Sequence, residues 1–433
     1  MEQPKIVIVG GGAGGLELAT QLGKKYAKKG KAQVTLIDRN PTHLWKPLLH
    51  EVATGVMDSN IDDISYRAVA RSTGFDFVLG NMAGLDRSAR KIKLAAYHDS
   101  DNELIMPERE VDYDYLVLAM GSVTNDFGTP GVAEHCIFLD SPSQAQRFHQ
   151  SFLNMLMRLN SRPEQFKDGK ANILIVGGGA TGVELSAELV SAAETVKQYG
   201  FKEVNASKIN ISLLEAGPRL LPALPERISY AAARELSEIG VTVRTGNMVT
   251  SAEANTLNTK EGEALHGDLI VWAAGVRGPD LMHHLDGLSL QRTGQLTIHD
   301  TLQSVDDERI FAIGDCAACP QGDKFVPPRA QSAHQQASHL LKNFKRLFAN
   351  QPLKPFVFVD RGSLVSLSQY SAVGTLMGNL SSGSLRVEGR IARLMYVSLY
   401  RMHQIAIYGL LKTGLIAITD RIHRVIRPRL KLH

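Results

Sequence analysis

Two glycine-rich turns carry the clearest chemistry in this sequence. Residues 10–15 read GGGAGG and residues 177–182 read GGGATG, so both match the pattern G-x-G-x-x-G. Such a turn brings backbone N–H groups close to a pyrophosphate, because glycine has no Cβ to block the approach and the helix N-terminus that follows attracts negative charge. We therefore predict two dinucleotide sites whose glycines are Gly10, Gly12, Gly14 and Gly15 in the first, and Gly177, Gly179 and Gly182 in the second.

An acidic residue ends the second strand predicted in each unit. Asp38 follows the apolar run 34–37, and Glu215 ends the run 209–215. A carboxylate at this position can accept a hydrogen bond from a ribose 2′-hydroxyl. Glu215 also favours NADH over NADPH because it would repel a 2′-phosphate, although the nearby Arg219 weakens that preference.

The segments around these residues have the order of strands and helices that such sites need. Short apolar runs at 5–9 and 172–176 directly precede the two turns, and an Ala- and Leu-rich helical segment follows each turn. Further strands are expected at 75–80, 113–122, 268–275 and 308–315, and helices at 141–160 and 329–348. Residues 41–49, which contain prolines and aromatics, are expected to form a fixed loop. The pattern predicts an α/β protein with two Rossmann-like dinucleotide-binding domains.

We divide the chain into three parts. The first dinucleotide-binding domain is expected to be discontinuous, with residues 1–120 and 280–350, because the chain returns to it after the second nucleotide unit. The second covers residues 121–279, and residues 351–433 hold a small antiparallel sheet followed by amphipathic helices.

Several polar residues could act beside two dinucleotides held face to face. Asp315 follows a strand and a glycine, where it could accept hydrogen bonds from a flavin ribityl chain or serve as an ordinary turn residue. Gln331 and Gln335 lie four residues apart on one helix face, so their amides could bind a quinone carbonyl or the flavin, or they could be surface glutamines on a solvated helix. His334, between them, is expected to be a packed or exposed histidine rather than a proton donor. Glu184 could cap its helix or order a nicotinamide amide. We further assign to the flavin side Arg39, Lys46, Met82, Ala119 and Gly121, and to the NADH side Gly275.

The C-terminal segment concentrates the positive charge. From residue 386 onward ten Arg and Lys oppose two acidic residues, a net charge of +8 in a chain whose total is +4. Apolar residues recur at spacings of three and four between 391 and 406, with basic residues among them. We predict an amphipathic helix that lies in an anionic membrane surface, with a dimerisation helix in a homodimer or a solvated helix face as the alternatives. No uncharged apolar stretch reaches about 18 residues, the length of a spanning helix.

The small number of cysteines indicates the cellular compartment. Three cysteines exclude a disulfide framework and favour a reducing environment, and the first strand starts too close to the initial methionine for a signal peptide, so we expect a cytoplasmic start. Cys316 and Cys319 form a C-x-x-C. We assign them no redox role, because residues 40–60 contain no cysteine for a dithiol beside a flavin, and no metal role, because a second ligand pair is missing.

Taken together, these motifs resemble those of the type II NADH:quinone oxidoreductases, single-chain respiratory dehydrogenases that do not pump protons. The resemblance rests on residues 10–15 with Asp38, 177–184 with Glu215, 314–315, and above all AQSAHQ at 330–335, which matches the family motif A-Q-x-A-x-Q. It implies a glutathione-reductase-like pair of domains, with FAD in the first and NADH as substrate in the second. It also implies a quinone pocket bordered by Gln331 and Gln335.

The resemblance further implies a peripheral protein on the cytoplasmic face of the bacterial inner membrane, docked through its C-terminal helices. We expect no nucleic-acid partner on this interpretation. Two alternatives stay open from the residues. One is an NADH-binding flavoprotein sensor whose basic tail binds nucleic acid or membrane, and the other is a related flavin reductase with another acceptor, such as ferredoxin or sulfide.

Overall fold

The structure is a computed structural model that describes residues 3–58, 63–201, 204–367, 371–377 and 384–426. Its helices in these ranges are α1 (Ala13–Lys25), α2 (Leu49–Thr54), α3 (Tyr66–Thr73), α4 (Val132–His135), α5 (Pro142–Ser161), α6 (Ala180–Val196), α7 (Glu226–Glu238), α8 (Ala330–Leu347), α9 (Gly389–Tyr408) and α10 (Leu410–Ile426).

The strands that carry the argument are numbered along the chain. They are β1 (Lys5–Val9), β2 (Gln33–Asp38), β3 (Asp76–Leu79), β4 (Tyr115–Leu118), β5 (Ala171–Val176), β6 (Ile209–Glu215), β7 (Val241–Thr245), β8 (Leu269–Trp272), β9 (Ile310–Ala312), β10 (Gly362–Leu367), β11 (Ser371–Met377) and β12 (Ser384–Glu388). Smaller antiparallel sheets join Met82–Asp86, Lys91–Leu94 and Arg109–Asp112, and likewise Val249–Glu253, Thr256–Thr259 and Ala264–His266.

Two parallel sheets form the core. The first has the strand order β9-β4-β1-β2-β3, and the second has the order β7-β6-β5-β8. Strands such as β1 read as continuous apolar runs because helices cover both faces of a parallel sheet. In the chain, β9 comes after all strands of the second sheet, but it pairs with β4 of the first sheet, with Ile310 opposite Leu116. The predicted α/β class with two Rossmann-like units is confirmed.

The first predicted loop is more regular than expected. Within residues 41–49 the chain forms a two-residue strand, Thr42–His43, and a 3₁₀ turn, Lys46–Leu48, and α2 starts at once at Leu49. The proline at position 47 fits the first turn of a helix, where its missing N–H costs nothing.

The C-terminal part packs on both domains, with α9 against α1 and β10 against α6. β10, β11 and β12 form an antiparallel sheet, α9 packs against β11 and against α1, and α8 packs along α1. Among the described residues, the structure contains no helix that is both long and apolar enough to span a bilayer.

Candidate functional site

The first glycine turn leaves open space at the start of α1. Gly10 has φ +104°, and a Cβ there would collide with the carbonyl of Ala119 after β4. A Cβ on Gly15 would strike the carbonyl of Gly10, and one on Gly14 would come 3.0 Å from the carbonyl of Ala333 in α8. In contrast, a Cβ on Gly12 meets nothing within 4 Å, and this residue is the N-cap of α1 without a capping side chain. Free N–H groups beside open space suit a pyrophosphate.

The second turn repeats this geometry at the start of α6. Gly177 has φ +113° and lies against Ala273 after β8, and a Cβ on Gly182 would strike the carbonyl of Gly177. Gly179 is the uncapped N-cap of α6, and a Cβ on it meets nothing within 4 Å. Both turns therefore fit a dinucleotide in the same way.

We call the glycine turn and the open space at Gly12 the first cradle, and those at Gly179 the second cradle. The predicted carboxylate lies beside the glycine turn in both. Asp38 accepts hydrogen bonds from the N–H of Gly11 at 2.6 Å and of Asn40 at 2.8 Å. Burial raises the pKa of Asp38, and these hydrogen bonds together with the positive charge of the exposed Arg39 offset part of that effect. Glu215 accepts from the N–H of Gly178 and of Gly217, both at 2.7 Å.

A polar cluster lies where β4 and β9 end. Asp315 accepts a hydrogen bond from the hydroxyl of Ser122 at 2.9 Å, and burial raises the pKa of the Asp315 carboxyl. Lys46 donates to the carbonyl of Ser122 at 2.7 Å and lies 3.5 Å from Asp140. Next to them, Gly121 has a positive φ and open space around it. The cluster combines a cation, a carboxyl and space for a ligand.

Two further predicted cofactor residues, Met82 and Gly275, have different surroundings. Met82 is 4% exposed and packs in the core at the start of its antiparallel strand. Gly275 has φ +63°, and a Cβ there would come 2.6 Å from the ring of Phe127.

The glutamines of α8 have partners that the spacing did not predict. The amide of Gln335 pairs with both backbone groups of Val359, at 2.9 and 3.1 Å, and Gln331 accepts from the N–H of Arg361 at 3.2 Å. It is Gln336, 1% exposed, that faces the first domain, where it accepts from the N–H of Gly314 at 2.7 Å. Thus Gln331 and Gln335 share a face as predicted, but their amides hold the segment that follows α8.

Glu184 does not cap its helix. It lies inside α6, is 6% exposed, and accepts a hydrogen bond from the N–H of Ser366 in β10 at 3.1 Å. The ring of His50 in α2 lies 3.6 Å from its other carboxylate oxygen. Burial lowers the pKa of His50 to about 4, so this histidine is neutral at pH 7. Glu184 therefore joins the second domain to α2 and the C-terminal sheet.

Sequence spacing missed a buried group of ionisable residues next to α8. Glu17 in α1 lies 2.5 Å from Nδ1 of His334 and 2.7 Å from Nδ1 of His403 in α9. His403 in turn contacts His43, Nε2 to Nε2, at 3.0 Å. The available signal was Glu17 itself, a lone carboxylate in an otherwise apolar stretch of the first helix.

Burial decides the protonation state of the two cysteines, and α2 and α6 bring together a group of metal-ligand atoms. Cys316 and Cys319 are buried, and burial raises the pKa of their thiols to about 12 and about 11, so both are protonated at pH 7. His50, Glu51 and Glu188 each bring one ligand atom within 4.8 Å of the others, a grouping that spacing did not reveal because α2 and α6 both contribute. The absence of a metal site stays a prediction.

The chain matches a known family over most of its length. The family model described as pyridine nucleotide-disulphide oxidoreductase matches residues 4–337. A type II NADH:quinone oxidoreductase from Haemophilus influenzae is 50% identical, over 99% of this chain and 99% of that protein. A protein of the same name from Staphylococcus saprophyticus is 31% identical, over 87% of this chain and 90% of its own.

Solved structures share the fold. NDH2 from Plasmodium falciparum in complex with NADH superposes with a TM-score of 0.82 at 21% identity, over 99% of this chain and all of that one. The sulfide:quinone oxidoreductase from Aquifex aeolicus gives a TM-score of 0.72 at 15% identity, over 98% and 95%. With the sequence matches, these findings confirm the predicted resemblance: the chain belongs to the type II NADH:quinone oxidoreductases, within the pyridine nucleotide-disulphide oxidoreductase family.

Proposed function

We propose that this protein transfers electrons from NADH to a membrane quinone through bound FAD, without pumping protons. The observation that carries the proposal is the pair of glycine turns at uncapped helix N-termini, one in each parallel sheet. FAD, when bound, supplies the ring that accepts a hydride and passes two electrons on. The residues of the chain bind and orient the reactants and hold protons near them.

We assign FAD to the first cradle. The N–H groups beside Gly12 would bind its pyrophosphate, with Asp38 and Arg39 on the ribose side and the Asp315 cluster on the ribityl side. The remaining contacts are assigned to Gly10, Gly14, Gly15, Lys46, Met82, Ala119 and Gly121. The support for the ribityl assignment is that Asp315 already accepts a hydroxyl hydrogen bond, from Ser122.

NADH is assigned to the second cradle, with Gly177, Gly179 and Gly182 at the pyrophosphate, Gly275 at the edge, and Glu215 at the ribose. Arg219 donates to the carbonyls of Leu224 and Pro222, each at 2.8 Å, so its guanidinium is tied to its own loop. Because these carbonyls occupy Arg219, its guanidinium is not available to pair with a 2′-phosphate, and the carboxylate of Glu215 would repel that phosphate. This supports discrimination against NADPH.

The quinone is assigned to the region around the first turns of α8. Gln331 and Gln335 would border its pocket by fixing residues 359–361, rather than by offering free amides. We assign Glu184 a catalytic role because its carboxylate is buried where α6 meets α2 and β10.

We retain the proposed division of the chain into residues 1–120 with 280–350 for FAD, 121–279 for NADH, and 351–433 for docking. The pairing of β9 with β4 supports the return of the chain to the first domain.

The exposed face of α10 supports docking on an anionic membrane surface. Leu411, Leu415, Ile418 and Ile422 recur at spacings of four, three and four and are 88%, 66%, 61% and 52% exposed. Lys412 and Arg421 are exposed on the same helix. An apolar stripe with basic neighbours is typical of a helix lying in the interface. We place the protein on the cytoplasmic face of the inner membrane, since its cysteines are free thiols.

The test is an absorption spectrum of the purified protein. We expect flavin bands that bleach on addition of NADH under argon and recover when a soluble quinone analogue is added. A colourless protein would exclude the FAD assignment. Bleaching without recovery by quinone, but with recovery by another acceptor, would instead establish the flavin reductase alternative.

A further inference from the structure

Four ionisable side chains from four parts of the chain form one continuous hydrogen-bonded row. His334 of α8 contacts Oε2 of Glu17 in α1, Oε1 of Glu17 contacts Nδ1 of His403 in α9, and Nε2 of His403 contacts Nε2 of His43. Nδ1 of His43 then lies 2.9 Å from the carbonyl of Gly11 in the first glycine turn. The side chains of Glu17 and His403 are each 1% exposed, whereas that of His334 is 32% exposed. The row therefore reaches solvent through His334.

The donors and acceptors of this row follow from its fixed end. The carbonyl of Gly11 can only accept, so His43 donates from Nδ1. Burial, followed by the charge of His403, lowers the pKa of His43 to about 3, so His43 is neutral and its Nε2 carries a lone pair. His403 must then donate from Nε2 to His43.

Glu17 accepts from both of its histidines. Burial alone would raise the pKa of Glu17, but hydrogen bonds from His334 and His403 outweigh it and hold the pKa below its usual value. With Glu17 ionised, Nδ1 of His403 donates to its carboxylate, and this charge-assisted hydrogen bond stabilises the buried negative charge. His334 uses Nδ1 for Glu17, so its Nε2 is the nitrogen that can exchange a proton. Because Nδ1 keeps its proton throughout, His334 can lose and regain the Nε2 proton without breaking a bond of the row.

We propose that Glu17 is a positioning residue for proton delivery in quinone reduction: it orients His334, which gives the acceptor one proton from Nε2, while His403 keeps the buried carboxylate compensated. This inference rests on the proposed function. It makes α9 part of the reaction machinery, since His403 belongs to the first helix of the proposed docking region.

The proton balance requires such an acid. NADH gives up a hydride, which contains two electrons and one proton, whereas reduction of a quinone to a quinol takes two electrons and two protons. His334 supplies the second proton and water returns it to Nε2 afterwards. A carboxylate that fixes the tautomer and orientation of a histidine is a recurrent device of acid–base catalysis.

Glu17 and Arg361 are the charged groups that act on the pKa of His334. The hydrogen bond from Glu17 raises the pKa of His334, burial opposes that effect, the charge of Glu17 adds to it, and Arg361, after α8, lowers the pKa. On the far side of the row Tyr66 of α3 donates to the same Gly11 carbonyl as His43, at 2.8 Å. Further along α1, Lys24 donates to the carbonyl of Ile407 in α9 at 3.1 Å.

The test compares holoenzymes carrying Glu17→Gln, His334→Gln and His339→Gln with the wild type. His339 lies on α8 but contacts the carbonyl of Lys354, outside the row, and serves as the matched control. In each preparation the turnover number is measured with a quinone and with ferricyanide, which accepts electrons without protons. Imidazole resonances of ¹⁵N-histidine-labelled protein are titrated in parallel.

We expect His334→Gln to lower the ratio of quinone to ferricyanide turnover by about 100-fold. In Glu17→Gln the loss of quinone turnover with rising pH should begin about one pH unit or more below that of the wild type, and the NMR titration of His334 should shift down with it. His339→Gln should match the wild type in both readouts.

An unchanged pH limb in Glu17→Gln, or an unmoved His334 titration, would overturn the inference. If Glu17→Gln fails to retain FAD, His334→Gln provides the test. A ratio of quinone to ferricyanide turnover equal to that of the wild type would also overturn the inference. A wild type that forms no quinol at all would contradict the proposed function, and the NMR shift would then report the row alone.

Discussion

Glu215 accepts a hydrogen bond from the backbone N–H of Gly178 at 2.7 Å, so the carboxylate at the end of β6 faces the second glycine turn. Asp38 makes the equivalent contact with Gly11 at 2.6 Å in the other sheet. The shared geometry places an anion beside each cradle, where a ribose belongs. We therefore expect the choice between NADH and NADPH to depend on Glu215.

Replacing Glu215 with Arg should relax that choice. The carboxylate would no longer repel a 2′-phosphate, and a guanidinium could pair with it, so kcat/KM for NADPH relative to NADH should rise by about tenfold or more. Steady-state kinetics with both nucleotides measure this ratio. Glu238→Arg in α7, at an exposed glutamate, is the control. Unchanged discrimination would remove Glu215 from the proposed site.

Two glycines of the second cradle should respond differently to an added methyl group. A Cβ on Gly179 meets nothing within 4 Å, whereas one on Gly182 collides with the carbonyl of Gly177. We expect Gly179→Ala to fold with normal stability but to raise the KM for NADH, because the methyl group occupies the space of the pyrophosphate. Gly182→Ala should lower the free energy of unfolding by about 1–3 kcal/mol or more. Thermal melts and NADH titrations separate the two effects, and equal behaviour of both variants would contradict the assignment.

The exposed stripe of α10 should bind vesicles that contain anionic lipid. Leu411→Asp combined with Leu415→Asp removes two side chains that are 88% and 66% exposed, and burial of a leucine is worth about 1.5–3 kcal/mol, so cosedimentation should weaken by more than about tenfold. Tyr230→Asp, at a residue that is 75% exposed in α7, is the control. Point variants are preferred to removal of residues 390–433, which would also remove His403.

Retained vesicle binding by the double variant would place the anchor elsewhere. A change in mass by light scattering, with vesicle binding intact, would assign the same stripe to a homodimer.

Because of His50, the free energy of unfolding should fall at acidic pH. Its pKa is lowered from 6.5 to about 4 by burial, so the unfolded chain binds a proton that the folded protein does not. The stabilisation is fully present above the unfolded pKa and is lost as pH falls towards the folded pKa. Between pH 7 and pH 5 the loss is about 2 kcal/mol. Denaturant unfolding of wild type and His50→Gln at both pH values measures it. The two proteins should differ by about 2 kcal/mol less at pH 5 than at pH 7, and a constant difference would refute the assignment of a neutral buried His50.

Local rules were sufficient to find the two cradles. A glycine turn between a strand and a helix depends on residues that are close in the chain, and the end of β2 or β6 lies next to the turn in any Rossmann unit. The predicted positions of β1, β5, α5 and α8 accordingly differ from the observed ones by one or two residues at most. The start of α2 was missed because prolines and aromatics in the preceding residues are typical of a loop.

The residues around each turn are enough to predict the chemistry of the nucleotide sites, because the close approach of the backbone and the helix terminus are both encoded within a few residues of the turn. Tertiary structure alone decided the partners of the polar side chains. Glu17 meets His334 and His403 across 317 and 386 residues, and Gln335 meets Val359 across 24. The contacts of Glu17 arise where α1 packs against α8 and α9, and that of Gln335 arises where the chain after α8 returns to this helix. Helical periodicity tells which face a residue occupies, but only the packing of distant elements tells what that face meets.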